Sequence, residues 1–162
     1  NPVAQYELAC LSFLPANSIE ENEWYEKAAN QAHCNAQYRL GFRYVIGYYG
    51  TETDVEKEKG IKLMKLSANQ NCLYTQKTLG NMYYYGRDIN KDMNEAIKWY
   101  QKVAENEDNN VFSEYFGNSG NIKYQYKIGL IYFQGDKETN FPKDNIKALE
   151  YFYFPILPFK LK

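Results

Sequence analysis

Histidine and cysteine, the usual ligands of structural zinc, are scarce in this sequence. Its 162 residues include one histidine and three cysteines. Cys10, Cys34 and Cys72 are widely spaced, whereas a structural zinc site of ordinary composition needs about four such ligands close together. We therefore expect no metal site and no cofactor.

Catalytic motifs are also missing. The sequence contains no glycine-rich phosphate loop, no serine-centred nucleophile elbow and no Ser-x-x-Lys motif. His33 adjoins Cys34, but neighbouring side chains in a turn generally point apart, and no third group that would orient the pair is evident. The carboxylates cluster at predicted helix starts and in loops, where capping and solvation account for them. The sequence predicts a protein that is not an enzyme.

Charge and hydropathy argue against nucleic acid and membrane partners. Lysine plus arginine total 19 against 20 aspartates plus glutamates, and a nucleic-acid-binding surface needs a basic excess. No apolar run approaches the roughly 20 residues that span a bilayer. The chain starts at Asn1 without an initiating methionine or a signal-peptide pattern, so we interpret it as a trimmed product or a piece of a longer protein.

An internal repeat dominates what the sequence does contain. A first phrase occurs at 4–9 (AQYELA), 36–41 (AQYRLG), 75–80 (TQKTLG) and 124–129 (YQYKIG). A second phrase occurs at 24–29 (WYEKAA), 63–68 (LMKLSA), 99–104 (WYQKVA) and 151–154 (YFYF). Such recurrence is typical of stacked arrays in which one unit cannot bury its apolar face alone.

Helical periodicity and capping residues predict that each phrase lies in an α-helix. Asn17, Thr53 and Asp92 each precede a glutamate by three residues, a pattern typical of reciprocal caps, and Asp144 offers a cap without that partner. The sequence predicts four antiparallel helix pairs, at about 3–14 with 18–31, 35–47 with 54–70, 74–86 with 92–106, and 121–134 with 144–154.

Glycines recur in register with the first phrase. Gly41, Gly80 and Gly129 follow its large apolar residue, where a missing Cβ would let the second helix approach closely. A second set at 47, 86 and 135 lies six residues later and predicts helix ends in the left-handed conformation.

Together these phrases make the chain resemble the Sel-one-like repeat family, which is related to tetratricopeptide repeats. The third repeat matches best, at Leu79-Gly80, Tyr83, Gly86, Lys91-Asp92, Glu95-Ala96 and Trp99-Tyr100. The resemblance implies an all-α, right-handed α-solenoid of four antiparallel helix pairs in a single domain spanning 1–162. Its repeats would lie at about 3–34, 35–73, 74–109 and 121–155, with an insertion at 106–121.

The cysteines suggest a cellular compartment. Cys34 and Cys72 occupy nearly equivalent places one repeat apart, and stacked helices lie about 10 Å apart, whereas a disulfide needs Cα atoms within roughly 7 Å. We therefore expect all three cysteines to be unpaired, which favours a reducing, cytoplasmic compartment. A periplasmic or secreted location stays open if a leader was removed.

A binding surface is what remains as a candidate site. In related tetratricopeptide arrays the first helices line the concave side, and the register places the following residues there: Tyr6, Cys10, Phe13, Tyr38, Phe42, Val45, Lys77, Asn81, Tyr84, Tyr126, Leu130 and Phe133. The alternative is that the tyrosines of the first phrase pack between repeats. Phe42, Tyr84 and Phe133 are the preferred anchors, because polar residues on the same stripe imply nearby water.

Family members act mainly as adaptors, so the resemblance implies a non-catalytic scaffold that binds a peptide or protein segment along this aromatic face. One alternative is an envelope-associated penicillin-binding or β-lactamase-like enzyme of the family's cysteine-rich branch. In that branch a disulfide joins the end of each second helix to the next repeat, but this chain has Ala29 and Ala68 at the partner positions. Another alternative is an immunity or neutralising protein that uses the acidic insertion.

Overall fold

The computed structural model describes residues 1–10, 19–48, 53–107 and 119–153. These ranges contain eight α-helices: α1 (Pro2–Cys10), α2 (Ile19–Asn30), α3 (Cys34–Val45), α4 (Asp54–Asn69), α5 (Leu73–Tyr85), α6 (Met93–Glu107), α7 (Ser119–Gln134) and α8 (Asn145–Tyr153). Within them there is no β-strand, only an isolated bridge between Asp136 and Phe141. The predicted all-α class is confirmed.

The helix bounds agree with the predicted ones to within one or two residues wherever they are described. α6 continues through Glu107 and α7 begins at Ser119, so the first and last residues of the predicted 106–121 insertion are helical. The rest of that insertion, and the predicted continuation of α1 beyond Cys10, lie outside the described residues.

Three of the four predicted caps form, at Thr53, Asp92 and Asp144, whereas Asn17 lies outside the described residues. Thr53 Oγ1 accepts the Glu56 N–H at 3.3 Å, and Asp92 Oδ1 accepts the Glu95 N–H at 3.1 Å. The Thr53 hydroxyl also donates to the Glu56 carboxylate at 3.3 Å. The Glu95 carboxylate also accepts the indole N–H of Trp99 at 3.1 Å and the Lys98 ammonium at 2.9 Å, both one turn further along α6.

The chain divides into two compact units, Asn1–Thr75 and Gln76–Lys162. In the first unit α1 packs on α2, α2 on α3, and α3 on α4. In the second, α6 packs on α7 and α7 on α8. Each unit contains one of the two tryptophans. Trp24 is half-buried against the core of the first unit, whereas Trp99 is fully buried in the second.

The glycines of the first phrase sit where two helices touch. A Cβ on Gly41 would lie 2.7 Å from the carbonyl oxygen of Gly60, so α3 and α4 meet backbone to backbone. In the second unit the contact is with an aromatic ring instead: a Cβ on Gly80 would lie 2.6 Å from the Tyr100 ring, and one on Gly129 would lie 2.5 Å from Phe152. The predicted close approach is confirmed at all three positions.

In three of the four repeats, the glutamine of the first phrase ties the first helix to the end of the second helix; in the fourth, the buried Oε1 of Gln125 accepts no hydrogen bond from the described residues. The side-chain amide pairs are Gln5 with Gln31 at 2.6 Å, Gln37 with Gln70 at 2.7 Å, and Gln76 with Asn106 at 2.8 Å. Gln37 and Gln76 are buried, and a buried amide needs such a partner. The recurrence of glutamine in the phrase therefore has a structural cause that the sequence alone did not reveal.

Substituting the contact glycines tests this packing. We expect Gly41→Ala to lower the free energy of unfolding by about 3 kcal/mol or more, because the added methyl group meets a backbone oxygen that cannot rotate away. Gly80→Ala should cost less, because the Tyr100 ring can shift. Urea unfolding followed by circular dichroism measures both. Alanine favours helices over glycine by about 1 kcal/mol, so an increase in stability at either site would contradict the close contact.

Candidate functional site

Several of the predicted site residues of the first unit are buried in contacts within that unit. Val45 is fully buried against Gly60, which corrects the expectation that it is exposed. Tyr38 is buried as well, with its ring edge-on to Tyr74 at 4.9 Å. Tyr38 therefore packs between repeats, against the start of the next one, and does not line an exposed surface. Phe42 stacks on Tyr38 at 5.9 Å and stays half-buried.

Tyr6 and Cys10 lie on α1 of the same unit. Tyr6 is half-buried, with its ring 4.6 Å from the His33 ring and 5.9 Å from that of Tyr25. Cys10 is exposed, and its sulfur lies 3.6 Å from the hydroxyl of Tyr25. Phe13 lies outside the described residues.

The predicted residues of the second unit fall into two groups. Tyr126 and Phe133 are each 54% exposed and share a face of α7 with half-buried Leu130, and the Tyr126 ring packs on Phe152 of α8 at 5.4 Å. The residues on α5 face a different side of α7. Lys77, Asn81 and Tyr84 are all half-buried and meet the α7 residues Tyr124, Lys127 and Ile131.

Lys127 is the centre of this second group. Its ammonium donates to Asn81 Oδ1 at 3.1 Å and lies 5.0 Å from the Tyr100 ring and 5.6 Å from the Tyr124 ring. The same Asn81 oxygen accepts the Tyr100 hydroxyl at 2.9 Å. Burial, followed by the nearby Lys123 charge, lowers the pKa of Lys127. The protein thus holds a partly desolvated cation on neutral partners.

A cavity lies next to this group of residues, and Tyr84 contacts both. We call the group the Lys127 site; it consists of Lys77, Asn81, Tyr100, Tyr124 and Lys127. The Tyr84 ring lies 6.4 Å from that of Tyr100. The cavity has a volume of about 270 Å³ and is lined by Tyr84, Tyr85, Lys91, Met93, Ile131, Gln134, Gly135 and Asp136. Small-molecule pockets usually begin near 300 Å³, so this volume suits a single side chain better.

An ion pair closes the far wall of the cavity. Lys91 pairs with Asp136 and, at 3.1 Å, with Glu138. The Asp136 carboxylate also accepts the Thr139 N–H and hydroxyl, each at 2.8 Å. The Lys91 ammonium is the main cause that lowers the pKa of Asp136, and Asp136 in turn raises that of Lys91. These bonds fix the turn after α7 against the start of α6.

Similarity to known proteins agrees with this architecture. A family model described as Sel1 repeat matches residues 22–33, 34–72, 78–108 and 122–153, which is most of the chain. The chain belongs to the Sel1 repeat family. Proteins built from Sel1 repeats generally act as scaffolds for protein–protein interactions.

Three relatives illustrate the match. A sel1-like repeat-containing protein of Acanthamoeba polyphaga mimivirus is 27% identical over 154 residues, which span 93% of this chain and 28% of that protein. The crystal structure of a Sel1 repeat protein from Oxalobacter formigenes is 28% identical, with a TM-score of 0.64 over 96% of this chain and 58% of that one. A protective antigen of uropathogenic Escherichia coli with an SLR fold is 25% identical, with a TM-score of 0.62 over 96% and 30%.

Lys127 was not assigned to a site from the sequence, and neither were the two tyrosines that its ammonium contacts, Tyr100 and Tyr124. A signal was present, since Lys127 occupies the fourth position of the Sel1 first phrase, where the second repeat has Arg39. Arg39 is surface-exposed, and Tyr6 is among the groups that raise its pKa. A basic residue at this phrase position therefore interacts with tyrosine in both units. Tyr100 was assigned to the core by its phrase, and its hydroxyl could not be located from the sequence.

The expected separation of Cys34 and Cys72 is wrong. Their sulfur atoms lie 2.7 Å apart, although both are thiols in this structure. The expectation used the distance between helix axes, whereas these residues lie at helix starts from which their side chains extend toward each other. Their separation therefore no longer favours a reducing compartment. His33 serves as the cap of α3, since its Nδ1 accepts the Ala36 N–H at 3.3 Å.

No group of three or more histidine, cysteine, aspartate or glutamate side chains in residues 1–10, 19–48, 53–107 and 119–153 is placed to hold a metal ion. None of the helices in this part of the chain has the length and apolarity to cross a membrane.

The ion pair at the cavity wall predicts an acid-sensitive stability. Because the folded pKa of Asp136 lies below its unfolded value of about 3.9, its contribution is present above about pH 4 and is lost as the pH falls through the folded pKa. We expect Asp136→Asn to cost about 1–3 kcal/mol at pH 7 in urea unfolding, and this difference to shrink below pH 4.

The matched control for Asp136→Asn is Glu138→Gln. The Glu138 side chain is 72% exposed, so its pairing with Lys91 is screened by water and should contribute less than about 1 kcal/mol. Equal losses for the two variants, or a pH-independent loss for Asp136→Asn, would show that Asp136 does not act through its charge.

Proposed function

We propose that the chain is a non-catalytic adaptor that binds an acidic segment of a partner protein at the Lys127 site. The bound segment places a carboxylate beside Lys127 and an apolar side chain in the neighbouring cavity. This narrows the general scaffold role of Sel1 repeats to one surface and one kind of partner.

The desolvated state of Lys127 carries the proposal. Burial of a lysine that has no carboxylate partner opposes folding, and among the described residues the contacts of its ammonium are an amide oxygen and two aromatic rings. A residue that costs stability in the free protein is typical of a binding site, where a ligand supplies the missing charge. Lys77 approaches the same Tyr124 ring, at 5.6 Å, and adds positive charge.

The distance between Asn81 and Tyr84 also limits the spacing of the two binding residues in the partner segment. Asn81 and Tyr84 are three residues apart on α5, or about 4.5 Å along the helix axis. Asn81 holds the ammonium, and Tyr84 lines the cavity. An acidic residue and an apolar residue only a few positions apart in the partner could therefore occupy both places at once. Tyrosine rings around a desolvated charge are also typical of interaction hot spots.

The alternatives draw no support from the described residues. The acidic insertion that an immunity protein would use lies almost entirely outside them. For the cysteine-rich enzyme branch, Ala29 and Ala68 are buried at the positions where the disulfide partners would stand. Tyr126, Leu130 and Phe133 stay a separate aromatic surface on α7, and we do not include them in the Lys127 site.

Replacing Lys127 by methionine separates binding from stability. Peptides selected from a random displayed library on the intact chain supply the probes, and fluorescence polarisation measures their affinities. We expect the selected peptides to share an acidic residue and to bind Lys127→Met at least tenfold more weakly, a loss of about 1.4 kcal/mol or more. Tyr84→Ala should also lower the affinity for the same peptides, because Tyr84 lines the cavity.

Thermal unfolding of the same variant tests the cost of the buried charge. Because the folded pKa of Lys127 lies below the unfolded value of about 10.4, the wild-type chain gains stability as the pH rises through the folded pKa. Lys127→Met should therefore melt at or above the wild-type temperature at pH 7. Lys123→Met, an exposed site one turn earlier on α7, is the control and should change affinity less than twofold. Tight binding of non-acidic peptides, or equal binding to Lys127→Met, would refute the site.

A further inference from the structure

Two cysteine side chains meet at the junction of consecutive repeats. Cys34 is the first residue of α3, and Cys72 directly precedes α5. Their sulfur atoms are 2.7 Å apart, and a disulfide bond is about 2.05 Å long. A movement of less than about 1 Å separates this contact from a covalent bond. No disulfide of this kind was expected from the sequence.

The surrounding contacts hold the two segments in register. Asn35 Oδ1 accepts from the Cys72 thiol at 3.3 Å and lies 3.8 Å from the Cys34 sulfur. Beside the cysteines, two pairs join the same two segments: Gln37 with Gln70 at 2.7 Å, and the rings of Tyr38 and Tyr74 at 4.9 Å. Ser67 pairs with Thr75 at 2.8 Å and fixes the end of α4 against the start of α5. The sulfurs are therefore brought together by the fold and not by a chance side-chain orientation.

We propose that Cys34 and Cys72 are a redox-responsive pair that closes to a disulfide between consecutive repeats. The oxidant is a small-molecule disulfide such as glutathione disulfide. One protein thiolate attacks a sulfur of the oxidant, forming a mixed disulfide and releasing the first small thiol. The second protein thiolate then attacks the protein sulfur of that mixed disulfide and releases the second small thiol. Two protein thiols lose two electrons and two protons, and the oxidant is reduced to two thiols.

Access and reactivity are compatible with this exchange. Both cysteines are half-buried, so a small disulfide can reach a sulfur while the pair stays in place. Burial and the adjacent Cys72 thiol raise the pKa of Cys34 to about 11, which disfavours a lasting thiolate at neutral pH. Chemistry that needs a stable single thiolate is therefore disfavoured, whereas the second step of exchange profits from the proximity of the two sulfurs.

The disulfide would stabilise the first unit by restricting its unfolded state. The two cysteines are 38 positions apart, and both belong to the unit Asn1–Thr75. A cross-link over a loop of this length removes many unfolded conformations. We expect the oxidised chain to melt about 5–10 °C higher than the reduced chain.

Mass spectrometry of the full chain tests the proposal directly. The reduced chain is incubated with glutathione disulfide at neutral pH, alkylated under denaturing conditions and digested. We expect two of the three thiols to escape alkylation and a peptide pair joined between Cys34 and Cys72, with Cys10 alkylated. Reduction with excess glutathione should reverse the change. Cys10→Ser should still form the cross-link and show the same rise in melting temperature.

Single variants distinguish an internal bond from general thiol reactivity. Cys34→Ser and Cys72→Ser should each carry glutathione on the remaining cysteine of the pair, without an internal bond and without the rise in melting temperature. Three outcomes would overturn the proposal: stable glutathione adducts on both cysteines of the wild-type chain, cross-links that include Cys10, or disulfide-linked dimers in place of an internal bond. None of these readouts requires the variants to be as stable as the wild type.

Discussion

Close approach of paired helices at the glycines of the first phrase is the constraint on which the rest of this protein depends. At Gly41 the contact is backbone to backbone, and at Gly80 the space is filled by the ring of Tyr100. The second contact has consequences beyond packing. Because the Tyr100 ring lies against Gly80, its hydroxyl reaches Asn81, and the Asn81 oxygen is the one that holds the Lys127 ammonium. A missing side chain in one helix thus positions a charged group in another.

Much of the fold could be predicted from the sequence, because the relevant physics is local and repeated. The recurring phrases set the helix pairs, the glycines set their contact points, and the helix bounds follow from apolar periodicity and caps. Repetition makes such signals reliable, since each position is sampled several times in one chain. The division into two compact units had no comparable signal and was not anticipated.

The site was predicted less well, because exposure depends on contacts between elements that are distant in sequence. Val45 and Tyr84 occupy the same position in their repeats, yet Val45 is buried against Gly60 whereas Tyr84 lines a cavity. The difference comes from the facing helix, which offers a glycine in one repeat and not in the other. The cysteine contact was missed for a related reason. A repeat spacing fixes the distance between helix axes, but it does not fix where side chains at helix ends are directed.

The placement of the two tryptophans gives the molecule an optical property. One indole lies in each compact unit, and their surroundings differ, since Trp24 is half-buried with a lysine ammonium 4.5 Å from its ring, whereas Trp99 is fully buried and donates to Glu95. A half-solvated indole emits at longer wavelength than an enclosed one. The intrinsic fluorescence of the unlabelled chain therefore contains a separate reporter for each unit, so loss of structure in one half can be distinguished from loss in the other.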